Sequence, residues 1–412
     1  VAALEWKKHK INLIDTPGYG IFTAEMICAM RAADAAIIVV DAVAGVEVQT
    51  EKAWQVAEEF GLPKMIVVNR MDRENADGGR VMDQIQKKFG RSCVCVEAAI
   101  GKEKGFRGAI DLIGMKGFLT DDTGKTIEGP IPQEFAEDAA TLHEALVEMV
   151  AEGDDSLMET FFSQGNLTEE QMLPALRNSI RERKIVPVLF AAAGDHERGV
   201  EKILDEIVDL LPGADSFPAA AIGKDGKTDV LACDPNGPVA AIVFKTISDP
   251  FTGRLTLFRV HSGTIKADGT YWNVNRELPE RFGPVFSPLG KQLNPVPEVP
   301  AGDIGVIAKL KETLTGDTLS AKEKPYRFPA VEVPEPAISF SIEPKSKGDE
   351  DKISIALAKL TEEDPSLKFH RDADTSELLL SGAGQLHVEI AVARMKRKSN
   401  VEVILHPPKV PY

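Results

Sequence analysis

Cysteine is scarce in this sequence. Four among 412 residues, Cys28, Cys93, Cys95 and Cys233, are too few and too scattered for a disulfide framework, and they make no zinc or redox spacing. Such usage suits a reducing cytoplasm. Histidine is sparse as well, with seven residues dispersed without metal-ligand spacing. No apolar run approaches the ~20 residues that span a bilayer, so a transmembrane segment is not expected, and no signal peptide is visible. Positive charge is in deficit. A formal net charge of −16 favours solubility and argues against wrapping naked nucleic acid by bulk attraction. Contact with RNA would need local basic patches. Lys7-Lys8-His9-Lys10 and Arg394-Met395-Lys396-Arg397-Lys398 are candidates, each read first as a solvated face.

What is present is the 43% apolar content of an ordinary globular protein, in a chain long enough for roughly two to four domains. Residues 11–14 read as a short buried strand that ends in the turn Asp15-Thr16-Pro17-Gly18. A helix over 21–31 and a second apolar strand over 35–40 follow. Ligands of open α/β sheets sit beyond the carboxyl ends of the strands, where Asp15 could hold a magnesium ion through water and Gly18 could bring its N–H close to a phosphate. Such a turn also closes many strands for structural reasons alone. A further strand, 64–68, ends in Asn69-Arg70-Met71-Asp72. The Asp72 carboxylate can accept from both the ring N–H and the exocyclic amine of guanine, a donor pair adenine lacks. Asn69 can bridge base and loop, and the stem of Arg70 can lie over the ring. The competing reading is a solvated Asx turn.

The order of these motifs resembles a translational GTPase, most closely elongation factor G and its elongation factor G-like branch, and the resemblance runs through nearly the whole chain. It matches Asp15, Thr16, Pro17 and Gly18 to the magnesium and γ-phosphate turn, Asn69, Arg70 and Asp72 to the guanine loop, and Ala191, Ala192 and Ala193 to the loop whose backbone supports the base. Phe251-Thr252-Gly253-Arg254 and Arg259-Val260-His261-Ser262-Gly263 resemble the family's second domain, and Ser381-Gly382-Ala383-Gly384-Gln385-Leu386-His387-Val388-Glu389-Ile390 resembles its third. No Gly-x-x-x-x-Gly-Lys-Ser/Thr loop precedes Asp15 and residue 1 is Val. The resemblance therefore implies a chain that starts after the family's phosphate loop and first switch.

The implied fold is multidomain. An incomplete α/β P-loop-type GTPase domain spans 1–213, with an insert over about 101–184. A linker follows at 214–237, then a β-barrel domain at 238–330, an α+β sandwich at 336–407, and the entry to a fourth domain at 408–412. Within the first domain, helices are expected at 49–60, 81–89 and 200–211, and strands at 93–98 and 185–190. The repeated strand, helix, strand order implies a parallel sheet with right-handed crossovers. Cys93 and Cys95 would point to one face of their strand, as small buried residues.

Implied function follows the family: a factor, expected to be a cytoplasmic monomer, that binds GTP or GDP with Mg2+ and hydrolyses GTP on the ribosome to support translocation. Alternatives are a ribosome-binding factor with little or no GTPase activity, or a ribosomal-protection or release-factor GTPase. Departures from the family pattern bear on mechanism. Tyr19 stands where translation GTPases place a histidine that positions the attacking water. A phenol has no charge change near neutral pH, so it should slow hydrolysis without affecting nucleotide binding, unless Tyr19 merely packs at the domain face. Ala192 replaces a serine, Arg70 a lysine, and Ala383 and Gln385 a methionine and a glutamate, which leaves the docking of the third domain open.

Overall fold

The computed structural model describes residues 1–194, 197–249, 253–345 and 350–409. Phe251 and Thr252 of the second-domain motif, and Val410, Pro411 and Tyr412, lie outside the described residues. Contacts group the chain into two compact units. An α/β unit holds residues 5–11 and 33–213, and a β-rich unit holds 1–4, 12–32 and 214–412.

Along the first half run β1 (Ala2–Trp6), β2 (His9–Leu13), α1 (Thr23–Met30), β3 (Ala36–Asp41), α2 (Val48–Glu59), β4 (Lys64–Asn69), α3 (Gly78–Phe89), β5 (Cys93–Cys95), β6 (Glu97–Ile100), β7 (Gly108–Asp111), β8 (Lys116–Thr120), β9 (Thr126–Gly129), α4 (Ala136–Ala151), α5 (Asp155–Gln164), α6 (Glu169–Arg181), β10 (Val186–Phe190) and α7 (Val200–Leu210). The sheet of the α/β unit has the order β3-β4-β10-β5, parallel throughout, as the alternation of apolar strands and amphipathic helices demands. Two expectations are corrected. The strand before Asp15 ends at Leu13, and β2 pairs with β1 instead of joining the parallel sheet. The connection is the dipeptide Lys7-Lys8 with φ of 44° and 65°, the positive values that two-residue hairpin turns require. The strand expected at 93–98 divides in two. Val96 donates its N–H to Val188 O (3.2 Å) and accepts from Leu112 N (3.0 Å), so the chain leaves the parallel sheet there and enters the antiparallel sheet β6-β7-β8-β9. Cys93 and Cys95 are buried, and burial pushes both thiols up to about 12.

A buried charged cluster ties α7 to the β6-β7-β8-β9 sheet. Lys202 Nζ lies 3.1 Å from Asp111 and 2.5 Å from Glu206, and 5.0 Å from the Phe118 ring centre. Glu97 on β6 is fully buried beside them, and among the described residues Glu97 Oε1 and Glu206 Oε2 have no hydrogen-bond partner.

The second half continues with β11 (Ala219–Ile222), β12 (Thr228–Leu231), β13 (Ala240–Asp249), β14 (Gly253–Ser262), β15 (Thr264–Lys266), β16 (Thr270–Asn273), β17 (Leu278–Arg281), β18 (Val285–Leu289), β19 (Gln292–Val296), β20 (Glu298–Pro300), β21 (Ile304–Ala308), β22 (Thr318–Ser320), β23 (Ile338–Pro344), α8 (Glu350–Glu363), β24 (Lys368–Arg371), β25 (Leu378–Gly382), α9 (Gln385–Ser399) and β26 (Val403–His406). The stretch read as a linker carries a two-stranded hairpin, β11 with β12. Ala221 and Leu231 of that hairpin bury against Tyr326 and Phe328. The barrel expectation is corrected in one respect. The strands form an antiparallel sheet of order β17-β16-β22-β13-β14-β21-β18-β19 around Phe258, Phe282 and Ile307, but that sheet is not closed. Its two end strands carry Pro279 and Pro295, which have no N–H to give a closing ladder. The last elements follow the expected α+β order, with the sheet β24-β25-β23-β26 covered by α8 and α9 through Leu357, Leu380 and Val388.

Candidate functional site

Where β4 ends, Asn69 lies opposite Asp41, the last residue of the neighbouring β3. This register places two polar side chains at the carboxyl edge of a parallel sheet. Asn69 Oδ1 accepts the Ala193 N–H at 3.0 Å, so the end of β4 is tied to the loop after β10. Two backbone bonds reinforce the tie: Met71 N–H to Ala191 O at 3.1 Å and Ala191 N–H to Val68 O at 2.9 Å. Ala192 N–H donates to Arg198 O. The Ala192 and Ala193 amides are therefore engaged within the protein, where the sequence reading assigned this loop to the support of a base.

Arg70 adopts φ 65°, a left-handed conformation that turns the chain sharply at the strand end. Its Nη1 lies 2.9 Å from Asp41 Oδ2. Burial alone would raise the Asp41 carboxyl, but donation from the Ala44 and Val43 N–H groups and the Arg70 guanidinium outweigh it and hold the carboxyl below the usual range. Asp72 is half-buried, and a Cβ on Gly194 would lie 3.8 Å from its Oδ2. Asn69, Arg70, Asp72, Ala192 and Ala193 are thus brought into one loop cluster at the carboxyl ends of β4 and β10. Asp41 and Arg198 are partners that sequence reasoning missed. An acidic residue ending a strand beside the Asn69 strand was the available signal for Asp41.

The other predicted residues belong to the β-rich unit. Asp15, Thr16, Pro17 and Gly18 form an irregular segment between β2 and a single 3-10 turn, Gly20–Phe22, that leads into α1. Asp15 and Gly18 are exposed, and no heavy atom lies within 4 Å of a Cβ built on Gly18, which leaves its backbone approachable. Tyr19 is 73% exposed, so its ring is not packed away. Among the described residues no group of three or more His, Cys, Asp or Glu is arranged to hold a metal ion. Asp15 belongs to no such group, and it is exposed to solvent.

Downstream of the turn, α1 is held by its own unit. The Phe22 ring meets His387 edge-on at 5.8 Å, Arg394 lies over that ring, and Glu25 pairs with Lys245 at 3.0 Å. His387 itself is buried. Its Nδ1 accepts the Ala383 N–H at 3.1 Å, which assigns the proton to Nε2 for donation to Asp364 at 2.9 Å. Ala383 thus contributes through its backbone, and Gln385 is exposed, its amide donating to Glu389.

Three family models match successive parts of the chain. Residues 1–213 match the model of the elongation factor Tu GTP binding domain, 238–322 that of elongation factor G domain 2, and 333–407 that of elongation factor G domain III. A solved structure from Thermus thermophilus superposes with a TM-score of 0.87 at 32% sequence identity. The match covers 100% of this chain and 59% of that one.

Proposed function

The chain belongs to the elongation factor G family of translational GTPases, and from that premise we propose that the protein binds guanine nucleotides and hydrolyses GTP on the ribosome in support of tRNA and mRNA translocation. The observation that carries this reading is the bracing of Asn69 by Ala193, which steadies the loop bearing Asp72. Asp72 reads the guanine donor pair, Arg70 covers the base, Gly18 meets the γ-phosphate and Asp15 holds Mg2+ through water. The setting is cytoplasmic, and the protein acts as a monomer. The domain limits proposed are those of the sequence reading, with the insert at about 101–184.

Titration with fluorescent GDP and ADP in magnesium buffer tests the assignment. Affinity as such depends on phosphate contacts, so the ratio is the readout. GDP is expected to bind at least about tenfold tighter than ADP, and Asp72→Asn to erase the preference, because an unpaired donor at the base edge is costly. Equal binding of the two nucleotides by the unaltered chain sinks the guanine assignment.

Tyr19 favours a second reading, a ribosome-binding factor with slow turnover. Its phenol stands where the resemblance puts the family's water-positioning histidine, and it is exposed. Ribosome-stimulated phosphate release that rises in Tyr19→His supports this reading; full turnover in the unaltered protein removes it.

A further inference from the structure

Beneath the guanine loop, wholly within the α/β unit, lies a cavity of about 600 Å³ between α3, α4 and the strand ends β5 and β6. Its volume falls within the range of small-molecule sites. Met71, Met82, Leu142 and Phe190 supply an apolar interior with two polarisable sulfurs. The charged residues that line it are unbalanced: exposed Asp77, Asp83 and Asp138 stand against Lys102 alone. Local packing beside it is tight. A Cβ on Gly78 would come within 2.9 Å of the Phe190 ring and 3.1 Å of the Met71 methyl, so the space is not general looseness at the start of α3.

We propose that this cavity is a binding site for a small amphiphilic amine, with its apolar body among Met71, Met82, Leu142 and Phe190 and its ammonium group among Asp77, Asp83 and Asp138. Burial of the hydrocarbon supplies the affinity. The acidic mouth supplies the sign preference, which is modest because its carboxylates face water. The site also touches the loop described above. Met71 lies between Arg70 and Asp72, and Phe190 directly precedes Ala191, whose carbonyl accepts the Met71 N–H. An occupant therefore presses on both strand ends that carry the loop. Binding itself does not depend on the guanine assignment, and the test uses no nucleotide.

The probes are 4-phenylbutylamine and 4-phenylbutyrate, equal in shape and opposite in charge, titrated into the full chain carrying 13C-methyl methionine. The Met71 and Met82 methyl signals are expected to shift saturably, with the amine binding roughly tenfold more tightly than the acid. Asp83→Asn with Asp138→Asn, at exposed positions that leave folding intact, should bring the two probes to similar affinity. Leu142→Trp should fill the cavity and abolish both responses. Equal affinity of the unaltered chain for the two probes overturns the proposal. So do a preference for the acid and the absence of a saturable shift at both methionines.

Discussion

Asn69 is a small amide whose work is structural before it is chemical. With its Oδ1 removed, the Ala193 N–H loses its acceptor, at a cost of about 1 kcal/mol for an exposed bond. Asn69→Ala is therefore expected to speed hydrogen exchange at the Ala193 amide about fivefold while leaving the thermal midpoint nearly unchanged; identical exchange rates would rule out the bracing role. The residue types at this loop were legible in the sequence because a strand end followed by Asn, a base and Asp is a local pattern. Asp41 and Arg198 were not. Their place depends on the register of β3 against β4 and on the return of the chain after β10, neither of which a local pattern encodes. Tyr19 was legible as a departure, and in the structure it is 73% exposed.

Among the elements, α7 carries the clearest consequence for pH. Glu206 is pushed up to about 7, chiefly because burial disfavours its charge, with Asp111 adding to that and Lys202 working against it. Glu97 is raised well above the usual range by burial and by the charge of Glu206. A carboxyl whose folded pKa lies above its unfolded value stabilises the fold fully below the unfolded pKa, and that contribution is lost as pH rises through the folded one. The window here runs from about pH 4.5 to 7. Urea midpoints at pH 5 and 7.5 are expected to show Glu206→Gln gaining on the unaltered protein by about 1–2 kcal/mol over that interval. A constant difference at the two pH values would contradict the assignment. The helices were readable from their apolar spacing, and α2, α3 and α7 lie within a few residues of their expected bounds. The strands were less so. An apolar run marks a strand but not its partner, which is why the pairing of β2 with β1 and the division between β5 and β6 escaped the sequence.

At the scale of the molecule, the two compact units have separate apolar cores, one around Ile66, Val68 and Val188 and another in the α8–α9 layer around Leu357 and Leu380. Ile66 and Leu357 are both fully buried. Truncation of either to Ala costs about 2–5 kcal/mol. Calorimetry is expected to show Ile66→Ala and Leu357→Ala moving different parts of the unfolding profile; a single transition shifted equally by both would show that the units melt as one. Domain order was legible because motif order along a chain survives folding, whereas the open ends of the eight-stranded sheet follow from pairing.

Val96 gives its N–H to the parallel sheet and its carbonyl to the β6-β7-β8-β9 side. The sheet β6-β7-β8-β9 is therefore spliced into the parallel one and does not behave as a detachable cassette. Excising it would strip one side of Val96 of its hydrogen bond and leave Lys202 without Asp111. Any lineage or engineer that shortens this chain must rebuild that seam in the same step.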